Sequence, residues 1–267
     1  HETNPRFENR YTTTQDLTLI FSLMAQEPLK LKRKFNVFLP LALIVLFGFW
    51  AFILTTTTFN QLDPTERDPR SLTLNMVQLG SLMLPLLIGS YSLVISSIDR
   101  KNRMLTRLQS LGTSAREIML IKSVWVSLVA FFGIAAVILA TVQASSSFNV
   151  PVLGNQLVVV IFALLVETVA LVPLFLHLAL RLKHPGWVVG IALIGSVLGS
   201  AGHMIPQTVA IFTPFTLAGA LSPVGVQEDS LLDHVLSLSD LGIVIVVALV
   251  VATLSIVVVP RRFQDEL

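Results

Sequence analysis

The chain has 267 residues, 54% hydrophobic and 13% charged, with a mean hydropathy of +0.79. A soluble domain carries about 25% charged residues, so too few polar side chains remain here to cover a water-exposed globule. The formal net charge of +2 beside a sequence pI of 9.2 is no nucleic-acid signature, and the absence of cysteine excludes a disulfide framework, thiolate chemistry and a Cys-ligated metal.

Before the first long apolar run, Leu17, Ile20, Phe21 and Met24 recur at helical spacing, Pro28 interrupts, and "LKLKRKF" follows. This predicts an amphipathic interfacial segment over 12–35, lying on a membrane surface with its basic cluster drawn to anionic lipid. A hydrocarbon core about 30 Å thick needs about 20 apolar helical residues to cross it. Six runs meet that need: Val37–Leu54, Leu74–Ile98, Ile121–Val142, Leu157–Leu180, Trp187–Ile205 and Leu241–Val259. The first lies too far along the chain, with no small-residue cleavage site after it, to be a removable signal peptide, and would serve as an uncleaved anchor. The connection "TTTTFNQLDPTERDPRS" reads as a short solvated loop, and no internal repeat is visible.

Between the second and third runs lies "DRKNRMLTRLQSLGTSAREI", Asp99 to Ile118. On a helix, Met104, Leu105, Leu108 and Leu111 share one face, and Arg100, Arg103 and Arg107 another. Gly112 offers a left-handed stop, and Ser114 with Glu117 three residues on forms a capping box that starts a second helix. A loop that only set topology would need the charges but no apolar stripe. An apolar face in water needs a groove, so the pattern points to a helix that docks on a cytoplasmic partner.

In the fourth run Glu167 stands near mid-depth, where a charge costs roughly 2.5–3.5 kcal/mol even on insertion scales. It must be protonated, paired or facing a polar cavity. Ala163, Ala170 and Leu174 lie along its stripe, and small side chains there permit close approach of a second helix. The expectation is that Glu167 faces a cavity between two subunits. His177, ten residues on, lies on an adjacent face and is not expected to pair with it. Pro85 and Pro173 are expected to kink their helices.

After the fifth run comes "PQTVAIFTPFTLAGALSPVG", apolar but broken by Pro206, Pro214 and Pro223. Proline removes a backbone donor, so this reads as two short helical pieces dipping into the outer leaflet, with the acidic "QEDSLLDH" outside. Gln78 near the outer end of the second run, Glu167, and Phe212 and Phe215 of the broken segment are the candidate pathway residues. Orientation follows from Lys and Arg. Six basic residues precede the first run, six stand between the second and third (Lys122 among them), two between the fourth and fifth, and two in the tail. The opposite side holds only Arg67 and Arg70. Both termini are therefore expected in the cytoplasm, with the protein in the cell membrane.

No phosphate-cradling "GxxxxGK[ST]", no "HExxH" and no "GxSxG" is present, and the five histidines share no metal-ligand spacing.

The whole arrangement resembles the type-2 class of ABC exporter permeases. The residues that carry this are the basic elbow, "LGTSAREI" and Lys122, with Asp99 at the acidic position where that class more usually has Glu. The small size is nearest to the lantibiotic-immunity and drug-export branch. The resemblance implies an all-α polytopic fold over 1–267 as a single permease domain. It would have six transmembrane helices, an interfacial helix, a coupling elbow over 99–118, and an outer re-entrant segment and loop over 206–237. It implies docking of separate ATP-binding subunits on Asp99, Arg100, Arg103, Met104, Arg107, Leu108, Leu111 and Gly112. It also implies a second permease copy or a similar permease, with membrane lipids around the pair. ATP and Mg would sit on the partner, with no cofactor and no catalysis on this chain. The cargo would be an exported hydrophobic or amphipathic peptide, drug or lipid-like molecule. Two other readings stay open: an intramembrane hydrolase using Glu167 with His177 or His203, and a non-energised scaffold or channel.

Overall fold

The computed structural model describes residues 38–101, 115–182, 184–227, 230–233 and 238–258. The interfacial segment 12–35, most of the elbow (102–114) and the tail beyond 258 lie outside them. Among the described residues there are eight α-helices: α1 Phe38–Gln61, α2 Pro69–Lys101, α3 Ala115–Ser146, α4 Gly154–Arg181, α5 Pro185–Ser200, α6 Gln207–Ala210, α7 Leu217–Ala220 and α8 Leu238–Val258. The chain is mostly helical, and α1 to α4 are each long and apolar enough to cross a membrane. The apolar parts of α5 and α8 are shorter, Pro185–Ser200 and Leu241–Val257.

The long helices overrun the apolar runs for local reasons. In α1 the threonines expected in a loop are helical: the hydroxyls of Thr56, Thr57 and Thr58 donate to the carbonyls of Phe52, Ile53 and Leu54 at 2.8, 2.9 and 2.8 Å. That back-bonding satisfies the hydroxyls within the helix itself. The helix then stops at Gln61, before Asp63 and a 3₁₀ turn at Pro64–Glu66. Asp68 starts α2 by accepting the Arg70 amide on Oδ1 at 2.8 Å, with Pro69 in the first turn, where its missing N–H costs nothing. Helices α2 and α4 run unbroken through Pro85 and Pro173.

Helix α2 is the hub. It packs on α5, α4, α3 and α1, while α1 lies on α3 and α8 on α4. It is the most enclosed of the four long helices and α1 the least. The main core runs through Met83, Leu84, Leu87, Val126, Ala130, Leu164, Leu171 and Phe175. A second, small core of Phe59, Leu72 and Val150 joins the α1–α2 and α3–α4 connections at one end. The lipid-like exposure of Phe49, Trp50, Phe131, Phe132, Leu193 and Leu249 is that of a protein whose solvent is hydrocarbon, where no apolar face needs covering by water-exposed polar residues.

Three expectations are corrected. The fifth run does not form one helix over Trp187–Ile205: α5 ends at Ser200 and a 3₁₀ turn occupies Gly202–Met204. Its 16 residues rise about 24 Å, short of the hydrocarbon thickness. Within this mostly helical fold, Val224–Gln227 (β1) pairs antiparallel with Ser230–Asp233 (β2), Val224 opposite Asp233 and Gln227 opposite Ser230. The acidic stretch expected to be a plain loop is thus largely a hairpin, whose strands satisfy each other's backbone groups. Lys122, counted with the elbow, lies inside α3 and is fully buried.

Candidate functional site

The site forms where four elements meet at the level of Ser81. Glu167 of α4 has no exposed surface. Its Oε2 accepts from the Ser81 hydroxyl of α2 at 2.9 Å and from the Ala218 backbone N–H of α7 at 3.2 Å. Its Oε1, equally buried, has no hydrogen-bond partner among the described residues. An acid at such depth is costly unless donors meet it, and two donors from two different elements converge on one oxygen.

The local sequence explains why each donor is available. A four-residue helix such as α7 leaves its first N–H groups without internal partners. Ala220 and Leu221 bond back to Thr216 and Leu217, whereas Ala218 turns to the carboxylate. The segment before α7 is shaped by Thr216, whose hydroxyl donates to the Ala210 carbonyl at 2.7 Å. On α2, Pro85 stands four residues after Ser81 and lacks the N–H that would bond the Ser81 carbonyl. That carbonyl instead faces α5: a Cβ on Gly199 would fall 2.6 Å from the Ser81 oxygen and 2.8 Å from the Phe215 oxygen. Only glycine allows three backbones to approach this closely. The neighbouring Gly195 receives the Phe215 ring, which also packs edge-on against Phe175 of α4, with centroids 6.1 Å apart.

The depth follows from helix rise. Ser81 is twelve residues along α2 from Pro69, about 18 Å at 1.5 Å per residue. Since Gly199 meets Ser81, α5 ends that far below the Pro69 end of its neighbour. The irregular segment from Gly202 to Val224 takes over from there, with Ala210, Thr216, Leu217, Ala218, Leu221 and Val224 buried. Irregular backbone at membrane depth is tolerated when it is enclosed by protein, and α4, α2 and α5 enclose α7.

The pathway residues named from sequence are only partly brought together. Glu167 and Phe215 join the same site. Glu167 is fully buried within its own chain, as are Ala163 and Ala170, and α4 packs on α2 with Leu164 against Gly80. Gln78 is partly exposed one turn before Ser81 and does not touch the carboxylate. Phe212 is 71% exposed and stands apart. His177 places Nδ1 3.3 Å from the Ser255 carbonyl of α8, so it and Glu167 have separate partners. Asp99 and Arg100 lie in the last turn of α2; Arg103, Met104, Arg107, Leu108, Leu111 and Gly112 lie outside the described residues, as does Ser114 of the capping box. Ser81, Ala218 and Gly199 were missed. The signal for Gly199 was present, since Gly195 and Gly199 form a G-x-x-x-G pair in an apolar helix. Nothing local marks Ser81 or Ala218.

A family model described as "ABC-2 family transporter protein" matches residues 23–200. No curated protein and no solved structure matches the chain.

Proposed function

The chain belongs to the ABC-2 family of transporter proteins, and from that premise we propose that it is the membrane subunit of an ATP-driven exporter whose ATPase is a separate chain. The coarser statement, a multi-pass transmembrane subunit of an ABC transporter, follows from the family and from the four spanning helices. Permeases of this family work with ATP-binding subunits. The cargo fitting so apolar a chain is a hydrophobic or amphipathic peptide, drug or lipid-like molecule, in keeping with the small size that suggests the lantibiotic-immunity and drug-export branch. The subunit pairs with a second copy or a similar permease. Both termini lie in the cytoplasm, and six crossings span the cell membrane: α1 to α4, α5 completed by the broken segment, and α8.

One observation carries this reading. The basic amphipathic stretch Asp99–Gly112 joins the end of the hub helix α2 to the start of α3. A push from an ATPase groove on that elbow reaches α2 directly, and α2 touches α1, α3, α4 and α5. The test is co-purification with a separate Walker-motif ATPase subunit. Leu108→Asp with Leu111→Asp puts charge on the apolar stripe and should abolish recovery of the complex while leaving the permease folded. Full recovery of the complex rules the docking role out.

The separate partners of Glu167 and His177 leave the hydrolase reading without a Glu167–His177 pair.

A further inference from the structure

We propose that Glu167 is a latch: it ties the broken segment Phe212–Leu221 to α2, so that displacement of α2 is passed to that segment through Ser81, Glu167 and Ala218. The part played by ATP rests on the permease reading above; the latch itself stands on geometry. Three features converge at one depth. The carboxylate links two elements, α2 through the Ser81 hydroxyl and α7 through the Ala218 amide. In a dry interior neither donor can turn to water, so each stays with the carboxylate until another acceptor is offered. The second oxygen, Oε1, is fully buried without a partner among the described residues. A carboxylate has about four acceptor positions on two oxygens, so this spare oxygen lets Glu167 keep one donor while the other shifts, as a two-position latch requires. Pro85 supplies the moving part. The missing bond to the Ser81 carbonyl leaves α2 able to bend between its Lys101 end and Ser81, and Gly199 holds α5 in backbone contact with both Ser81 and Phe215.

Hydrogen exchange over peptides spanning 213–221, measured on the purified permease in nanodiscs, tests the latch. Glu167→Leu keeps the volume and removes both acceptors, and exchange there should rise about tenfold, as expected when buried donors lose their acceptor. Glu167→Gln retains a carbonyl oxygen for both donors and should stay within about twofold. Ser81→Ala, which α-helices accept readily, cuts the α2 side alone and should raise exchange about threefold. Parental exchange in both Glu167→Leu and Ser81→Ala overturns the latch, and if Glu167→Leu does not fold, Ser81→Ala decides alone. A second measurement tests transmission: in the permease–ATPase complex, F212C should change its labelling by a membrane-impermeant maleimide on ATP addition, and Ser81→Ala should suppress that change while ATP hydrolysis continues. An unaltered response in Ser81→Ala overturns transmission. Failure of the complex to form counts against the permease reading and leaves the exchange result to judge the latch.

Discussion

At the scale of single residues, Gly199 stands out because backbone atoms rather than side chains crowd the place of its missing Cβ. A Cβ there would lie 2.6 Å from one carbonyl oxygen and 2.8 Å from another, both of them backbone atoms that cannot rotate away. Gly199→Ala should therefore lower stability by about 1–3 kcal/mol, the usual cost of overpacking a filled interior. Gly190 on the same helix meets nothing within 4 Å, so Gly190→Ala should be neutral or slightly stabilising, as expected for replacing glycine in a helix. Thermal unfolding of the two variants in the same detergent checks the contrast, and equal losses would show that α5 does not depend on the contact. How far such positions can be read in advance differs by residue. Glu167 is conspicuous because an acid in an apolar run is costly unless a partner or a polar cavity meets it. Its partners are invisible because a serine in a helix and an alanine amide in a broken stretch become donors only through contacts more than fifty residues away in sequence. Small residues along α4 foretell close packing, and within the chain Glu167 is met by α2 and α7.

At the scale of elements, hydropathy located the four long helices but not their ends, because the ends are set by hydrogen bonds that apolarity does not register. Threonine back-bonding carries α1 to Gln61, and an aspartate cap begins α2 at Pro69. The same blindness merged α5 with the turn after it. The connection between α1 and α2 is likewise less a free loop than a stitch. Arg67 donates from Nε to the Phe59 carbonyl at 3.1 Å, and its guanidinium lies 5.0 Å from the centre of the Phe148 ring, which in turn packs edge-on against Phe59 at 5.7 Å. One side chain thus fastens the α1–α2 connection to the α3–α4 connection. Asn149, beside Phe148, takes the left-handed conformation at φ 56°, which asparagine tolerates, and this turns the chain back after α3. Arg67→Ala should cost about 1–2 kcal/mol from the lost hydrogen bond and cation–π contact together. Arg67→Lys should recover only part, because an ammonium has no planar fork to satisfy both at once. Unfolding midpoints of the three proteins test this, and a lysine variant as stable as the parent would mean that charge alone suffices.

At the scale of the whole molecule, the path of the chain across the bilayer depends on how the stretch from α5 to β1 is counted. Helices α1 to α4 make four crossings by length and composition, which returns Arg181 to the side on which α1 began. Helix α5 then rises about 24 Å from Pro185 and ends against Ser81, and the segment that follows is apolar, broken and enclosed. If that segment continues outward, β1 and β2 lie on the far side, and α8 brings Arg261 and Arg262 back with the other basic residues, as the distribution of Lys and Arg favours. If it turned back instead, the hairpin would sit beside Arg181 and α8 would carry two arginines to the wrong side. The absence of native cysteine makes the choice directly measurable. Gln227→Cys and Gln264→Cys, each introduced alone, should label from opposite faces in intact cells with a membrane-impermeant maleimide: Gln227→Cys at once, Gln264→Cys only after permeabilisation. The reverse pattern would invert the orientation while keeping the crossing of α8, and labelling of both positions from one side would remove that crossing and with it the six-span arrangement.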